Sequence, residues 1–158
     1  MNDATGLEQY LHRHIPLSLA MGVHVIALTT DEVMLGAPLA PNINHRETVF
    51  GGSASALCIL AAWSLVHVRL RAAQCDARLV IQRNAMEYLA PVQGEFHARA
   101  SLRDAADWGA FVRILQRKGR ARLGVVSLLE SDGALAGRFE GEFVALGGAT
   151  YSAATPVV

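Results

Sequence analysis

The stretch from Pro38 to Ser53 reads PLAPNINHRETVFGGS and gathers the residues of this chain best suited to chemistry. A polar loop carrying Asn42, Asn44, His45 and Glu47 runs through Phe50 into the pair Gly51–Gly52, and that pair opens a long apolar run. Glycine lowers helix stability, so two in succession at a helix start call for a reason. One reason is packing, where no side chain fits between the helix start and a neighbouring sheet. The other is close approach of a ligand: unpaired N–H groups at a helix N-terminus, with the positive end of the helix dipole, polarise a carbonyl or hold an oxyanion. Beside such a site His45 can position or deprotonate a water, or bind the substrate; the alternative is a loop histidine bonded to backbone. Asn44 can hydrogen-bond a substrate carbonyl or close an Asx turn. Glu47 is the carboxylate nearest the glycine pair, available as a base or simply solvated. Ser53 reads as a helix cap, and no Ser-His-Asp spacing supports covalent chemistry. Asn42, Phe50 and Ser53 flank these groups and are expected at the substrate-binding surface.

A second cluster, Arg113, Arg117, Lys118, Arg120 and Arg122, is the one concentration of positive charge. It suits phosphates or an acidic protein surface. It is equally a solvated helix end, where cations are favoured by the dipole. No Cys or His spacing resembles a zinc site, and no metal is expected.

The elements that must position these residues follow from periodicity. Leu7, Tyr10, Leu11 and His14 mark a short helix ending near Pro16. Strands are predicted over 22–29 and 33–39 around the turn Thr30-Asp31-Glu32, then an ordered loop over 40–50. The run from Gly51 to Leu70 is apolar on nearly every side, the pattern of a helix buried at the centre of a protein. The uncharged stretch Val49 to Val68, which overlaps this run, contains too many Gly, Ser and Ala for a strong membrane-span signal. Further strands are predicted over 78–89, 95–103, 120–130 and 138–146, with a helix marked by Trp108, Phe111, Val112 and Leu115. In the second of these strands Phe96, Ala98, Ala100 and Leu102 alternate with His97, Arg99, Ser101 and Arg103, as in a half-buried strand. Ser131-Asp132-Gly133 reads as a tight turn. One apolar helix interrupting hairpin-linked strands gives an α+β architecture, an antiparallel sheet wrapped around a long central helix. Trp63, Phe111 and Phe50 are the large apolar side chains available to line a ligand tunnel or fill the core.

The 158 residues fit one domain, read as 1–146 with a small polar tail over 147–158. The 52% hydrophobic content argues against disorder and is high enough to expect a further buried surface, such as a subunit interface. Fourteen basic residues balance fourteen acidic ones, so the strong positive field of a nucleic-acid binder is absent. Cys58 and Cys75 are expected as free thiols in a reducing compartment. The polar N-terminus lacks the basic-then-apolar order of a signal peptide, making the cytoplasm the expected location.

The loop and glycine pair resemble the hotdog-fold thioesterases, whose loop runs roughly Asn-x-x-Gly-x-x-His-Gly-Gly into the central helix. Asn44, Thr48, Val49, Gly51 and Gly52 stand at matching places. PLAPNINHRETVFGGS is more narrowly similar to the thioesterase domain of the YiiD C-terminal type, in which Phe stands before the glycines and an Asn-His pair lies upstream. EYLAPVQGEF, Glu87 to Phe96, resembles the strand and turn that follow the central helix in hotdog proteins. Two departures stand out. Glu47 occupies the loop position usually held by Gly, and the helix segment Leu57-Cys58-Ile59-Leu60-Ala61 lacks the Asp or Glu that many relatives carry there.

The resemblance implies a hotdog fold and hydrolysis of an acyl thioester carried by coenzyme A or an acyl carrier protein. Coenzyme A enters only as part of the substrate, and no separate cofactor is expected. The acyl chain would lie along the central helix and the thioester carbonyl at the amides of Gly51, Gly52 or Ser53. A water oriented by His45, Asn44 or Glu47 would attack, with phosphates or the carrier protein meeting Arg117, Lys118 and Arg120. Relatives imply a homodimer or a tetramer of two dimers, with no nucleic-acid or membrane partner. The missing helix carboxylate keeps a second reading in view, an acyl-CoA-binding regulator without turnover. Hydration or dehydration of acyl thioesters is the third.

Overall fold

A computed structural model describes residues 3–147. The polar tail expected from 147 lies outside the described residues, apart from Gly147 itself. The elements are α1 (Ala4–His14), α2 (Pro16–Ala20), β1 (His24–Leu28), β2 (Val33–Ala37), a 3-10 turn over Ala40–Asn42, α3 (Gly51–Ala72), β3 (Ala77–Tyr88), β4 (Phe96–Leu102), α4 (Asp107–Lys118), β5 (Arg120–Ser131) and β6 (Ala134–Gly147). The six strands form one antiparallel sheet in the order β1-β2-β4-β5-β6-β3. This sheet curls around α3, which packs chiefly against β2, β3, β4, β5 and β6. The arrangement is the hotdog fold, in the α+β class.

Enclosure explains the composition of α3. Ala54, Leu57, Cys58, Ala61, Ala62 and Leu65 are buried, and their mix of small and large side chains lets strands approach from several directions. Ser127 of β5 donates its hydroxyl to the Cys58 carbonyl at 3.0 Å, tying the middle of the helix to the sheet. The helix is long and apolar enough to cross a membrane by length and composition, yet 56% of its most apolar window is buried inside the protein. Its least covered stripe runs through Ile59, Trp63 and His67. There Tyr10 of α1 stacks on Trp63 and His67, and the Trp63 indole donates to the Leu79 carbonyl. Burial, and secondarily the Arg71 cation, lower the His67 pKa, which favours a neutral imidazole in this stack.

The two sheet edges differ. On the β1 side, Glu8 of α1 accepts from the Val25 amide and the His12 ring lies 2.7 Å from the Val23 carbonyl, so the helix covers that edge. On the other side, β3 has no strand beyond it among the described residues.

Most boundaries fall within two residues of the sequence reading, and two differences are larger. Pro16 does not merely end α1; it is the first residue of α2, a position where its missing N–H costs nothing. Strand β6 starts at Ala134, four residues ahead of the predicted Arg138, because Ala134 to Gly137 pair with Ser131 to Leu129 despite their modest strand preference. Asp132 and Gly133 both have positive φ, the conformation a tight two-residue hairpin turn requires.

Gly119 ends α4 at φ 66, and its carbonyl accepts from the Gly147 amide. A Cβ there would lie 2.8 Å from the Gly147 oxygen. Gly119→Ala is therefore expected to lower unfolding free energy by roughly 2 kcal/mol, combining left-handed strain with displacement of β6. Urea denaturation measures this, and a change below about 0.5 kcal/mol would show that the β6 end yields without cost.

Candidate active site

The loop ahead of α3 is a small closed structure. Ile43 and Val49 form an isolated bridge, and Asn44 governs the turn between them. The Asn44 side-chain oxygen accepts from the Arg46 amide at 2.8 Å and from the Thr48 amide at 3.3 Å. Its amide nitrogen donates to Thr48 Oγ1 and, more distantly, to the Val49 carbonyl. Of the two roles open to Asn44, the structure displays the Asx turn, with both ends of the side chain engaged. His45, Arg46 and Glu47 are exposed at the tip. The Glu47 amide donates to the Asn44 carbonyl, but neither the His45 nor the Glu47 side chain makes a hydrogen bond or ion pair with another described residue. Glu47 has φ 61. That left-handed backbone explains why glycine usually stands at this position in the resembling sequences: the conformation is strained for glutamate and free for glycine.

Asn42 corrects an expectation. It is buried, and its side-chain amide donates to the Met21 and Pro38 carbonyls at 2.8 and 2.7 Å. It holds the loop to the end of β2 and does not face a substrate surface. Its backbone carbonyl accepts from the Phe50 amide, while the Val49 amide donates to Val92 beyond β3.

These anchors deliver the chain to α3 with Phe50 extended at φ −62, ψ 131 as the residue before the first turn. No side chain caps the helix. Ser53 stands inside the first turn, so the reading of it as the cap is overturned. The first amide bonded back into the helix start is that of Ala54, to the Phe50 carbonyl. The N–H groups of Gly51, Gly52 and Ser53 have no partner among the described residues. Three free amides at the positive end of a 22-residue helix form a site for a carbonyl oxygen or an oxyanion.

Both glycines are explained by their neighbours. The exposed Phe50 ring folds over Gly52, where a Cβ would collide with it. The Tyr88 ring lies beside Gly51, 3.4 Å from where a Cβ would stand, and its hydroxyl donates to the Gly51 carbonyl at 3.0 Å. Next to this contact opens a cavity of about 250 Å³. Tyr88 and Leu89 form its exposed rim, and Val49, Ala54, Val92 and Leu129 its buried floor. Tyr88 was not among the residues singled out for chemistry, although it lies in the stretch EYLAPVQGEF that carried part of the family resemblance.

The chain matches the family model described as "Putative thioesterase (yiiD_Cterm)" over residues 4–147. It belongs to this family. A solved structure from Shewanella oneidensis, described as a "putative thioesterase", is 30% identical, with a TM-score of 0.82 over 90% of this chain and 96% of that one. A protein of unknown function from Chlorobaculum tepidum is 28% identical, with a TM-score of 0.85 over 92% and 94%. A thioesterase of Haemophilus influenzae shares the fold at 14% identity, with a TM-score of 0.76 over 93% and 92%.

The other residues expected at the site are distributed differently. Arg117 and Lys118 line a separate cavity of about 500 Å³ with Gln74, Cys75 and Asp76, just past the C-terminal end of α3. Arg120 begins β5 opposite Leu146, at the same end of the sheet. The length of α3, about 33 Å at 1.5 Å per residue, separates this cluster from Gly51. One chain therefore does not bring Arg117, Lys118 and Arg120 to the glycine pair, because α4 returns the chain to the far end of the sheet. Phe111 is a core residue on the buried face of α4, and Trp63 belongs to the aromatic stack; neither lines the cavity at Gly51.

Along α3 the ionisable groups are Cys58, His67, Arg69 and Arg71, with no carboxylate. Burial pushes the Cys58 thiol up to about 12, so it is a core residue and not a nucleophile. Both cysteines are free, and Cys75 is only partly buried. A thiol reagent is expected to modify one cysteine quickly in the native protein and the second only in denaturant. Two fast thiols would show that the core around Cys58 opens readily. Among the described residues, no group of three His, Cys, Asp or Glu side chains is gathered to hold a metal ion.

Proposed function

We propose that this family member hydrolyses acyl thioesters at the start of α3. The observation that carries the reading is the set of three unpartnered amides at Gly51, Gly52 and Ser53, opening beside an uncharged cavity. A thioester carbonyl placed there gains hydrogen bonds that strengthen as its oxygen becomes negative during attack by water. The water is oriented and deprotonated from the 44–48 loop, where His45 and Glu47 are the titratable groups without internal partners. The tetrahedral intermediate then collapses: the C–S bond breaks, the thiol leaves with a proton, and the acid is released. Tyr88 and Phe50 flank the glycine pair on its two sides.

The thioester's carrier is coenzyme A or an acyl carrier protein, and the chain acts as a homodimer. Support for the dimer comes from the open edge of β3 and the half-covered stripe through Ile59 and Trp63 beside it, apolar surface that an edge-to-edge partner would bury. In such a pair the cluster of Arg117, Lys118 and Arg120 serves phosphates or an acidic carrier at the partner's site, since it lies too far from its own glycine pair.

Incubation with acyl-CoA and separation of products tests the reading: free acid and free coenzyme A should appear in equal amounts. The absence of a carboxylate on α3 favours one rival, an acyl-CoA binder without turnover. That rival predicts a raised melting temperature with acyl-CoA and no products from coenzyme A or carrier-protein thioesters.

A further inference from the structure

We infer that the cavity beside Gly51 is an acyl pocket for a short, neutral acyl group of no more than about eight carbons. The identity of its occupant rests on the thioester reading above; its size and polarity are those of the single chain.

Size comes first. The cavity holds about 250 Å³, room for roughly eight groups at the ~30 Å³ that a water-sized group takes up. It is also closed below. Ala54, Val92 and Leu129 are buried, and beneath them Leu57, Cys58 and Ala61 are fully covered by the sheet. A chain entering between Tyr88 and Leu89 therefore meets packed core and cannot continue along α3, in contrast to the path expected from the sequence.

Polarity is the second constraint. None of the lining residues carries a charge, and the Tyr88 hydroxyl is the only polar side-chain group among them. That hydroxyl already donates to the Gly51 carbonyl. An acyl group bearing a carboxylate or hydroxyl would lose water and gain no side-chain partner on the floor, a penalty that apolar chains escape. Tyr88 thus does two things: it walls the pocket, and its bond to Gly51 holds the rim against the helix start.

The test is kcat/KM across saturated acyl-CoAs from about two to sixteen carbons, with succinyl-CoA added. Activity should rise to six or eight carbons and then fall by roughly tenfold or more for each further pair that finds no room. Succinyl-CoA should run about a hundredfold below butyryl-CoA. Ala54→Leu fills the floor and should move the optimum to shorter chains. Because Ala54 lies in the core, Ala54→Val and the enlarging variant Val92→Ala accompany it, the latter extending the accepted length. Melting temperatures with S-hexyl-CoA and S-dodecyl-CoA, thioethers that cannot be hydrolysed, give a readout without chemistry.

Turnover that stays level or rises to sixteen carbons, or is unmoved by Ala54→Val and Val92→Ala, overturns the pocket and leaves hydrolysis standing. No turnover of coenzyme A or carrier-protein thioesters, with S-hexyl-CoA stabilising more than S-dodecyl-CoA and Ala54→Val weakening that effect, retains the pocket and removes hydrolysis. Neither turnover of thioesters on either carrier nor stabilisation overturns both.

Discussion

Replacing His45 by Ala and Glu47 by Gly in one protein is expected to lower kcat on an acyl thioester by about a hundredfold to ten-thousandfold, the usual share of general base catalysis. The expectation follows from elimination within the site. Helix α3 contributes no carboxylate, its one thiol is held protonated by burial, and its one histidine is locked in an aromatic stack. The loop ahead of Gly51 is left to supply the base. Glycine is the right replacement for Glu47, since φ 61 suits it and the backbone of the loop is kept. His45 is exposed and unbonded, so its removal should change stability by about 0.5 kcal/mol or less. A folded double variant with full activity would remove both residues from the mechanism. If only one single variant is impaired, that residue alone supplies the base.

The sequence displays the fold more openly than the site, for physical reasons visible in particular residues. Alternation in β4 is a local property, and Phe96, Ala98 and Ala100 are buried as their spacing requires. The apolar character of α3 on all sides has one economical explanation, a sheet wrapped around it, and that is what encloses it. For Asn44 the sequence leaves an Asx turn and a substrate contact equally open, and the turn, which closes within four residues, is the one the structure displays.

What stayed hidden depends on contacts between distant segments. Asn42 resembled a substrate-facing loop residue, yet its amide is spent on Met21, 21 positions upstream. Tyr88 meets Gly51 across 37 positions, so nothing near either residue announces the pair. Ser53 has the residue type of a cap, but the extended Phe50 takes the cap position three residues sooner and leaves the amides open. The basic cluster was recognised as a cluster because α4 and β5 are adjacent in sequence. Its distance from the glycine pair is a property of the topology, and only the path of the chain reveals it.

Gly51→Pro addresses the amides themselves. Proline is favoured at the first position of a helix, where the N–H it lacks has no partner in the helix. Phe50 already holds the extended conformation that a following proline demands. The fold should tolerate the change within about 1 kcal/mol, while one donor to the developing oxyanion disappears. Loss of one such donor costs about a hundredfold to a thousandfold in kcat. Gly51→Ala is the companion: it keeps the N–H and places a Cβ 3.4 Å from the Tyr88 ring, an ordinary contact.

The decisive measurement is kcat for thiol release from hexanoyl-CoA by the wild type, Gly51→Ala and Gly51→Pro, each first shown to be folded by its melting curve. Hydrolysis at the start of α3 predicts turnover in the wild type, a loss of only a few fold in the alanine variant, and a loss of about a hundredfold or more in the proline variant. A proline variant as active as the alanine one would contradict an oxyanion site that uses the Gly51 amide.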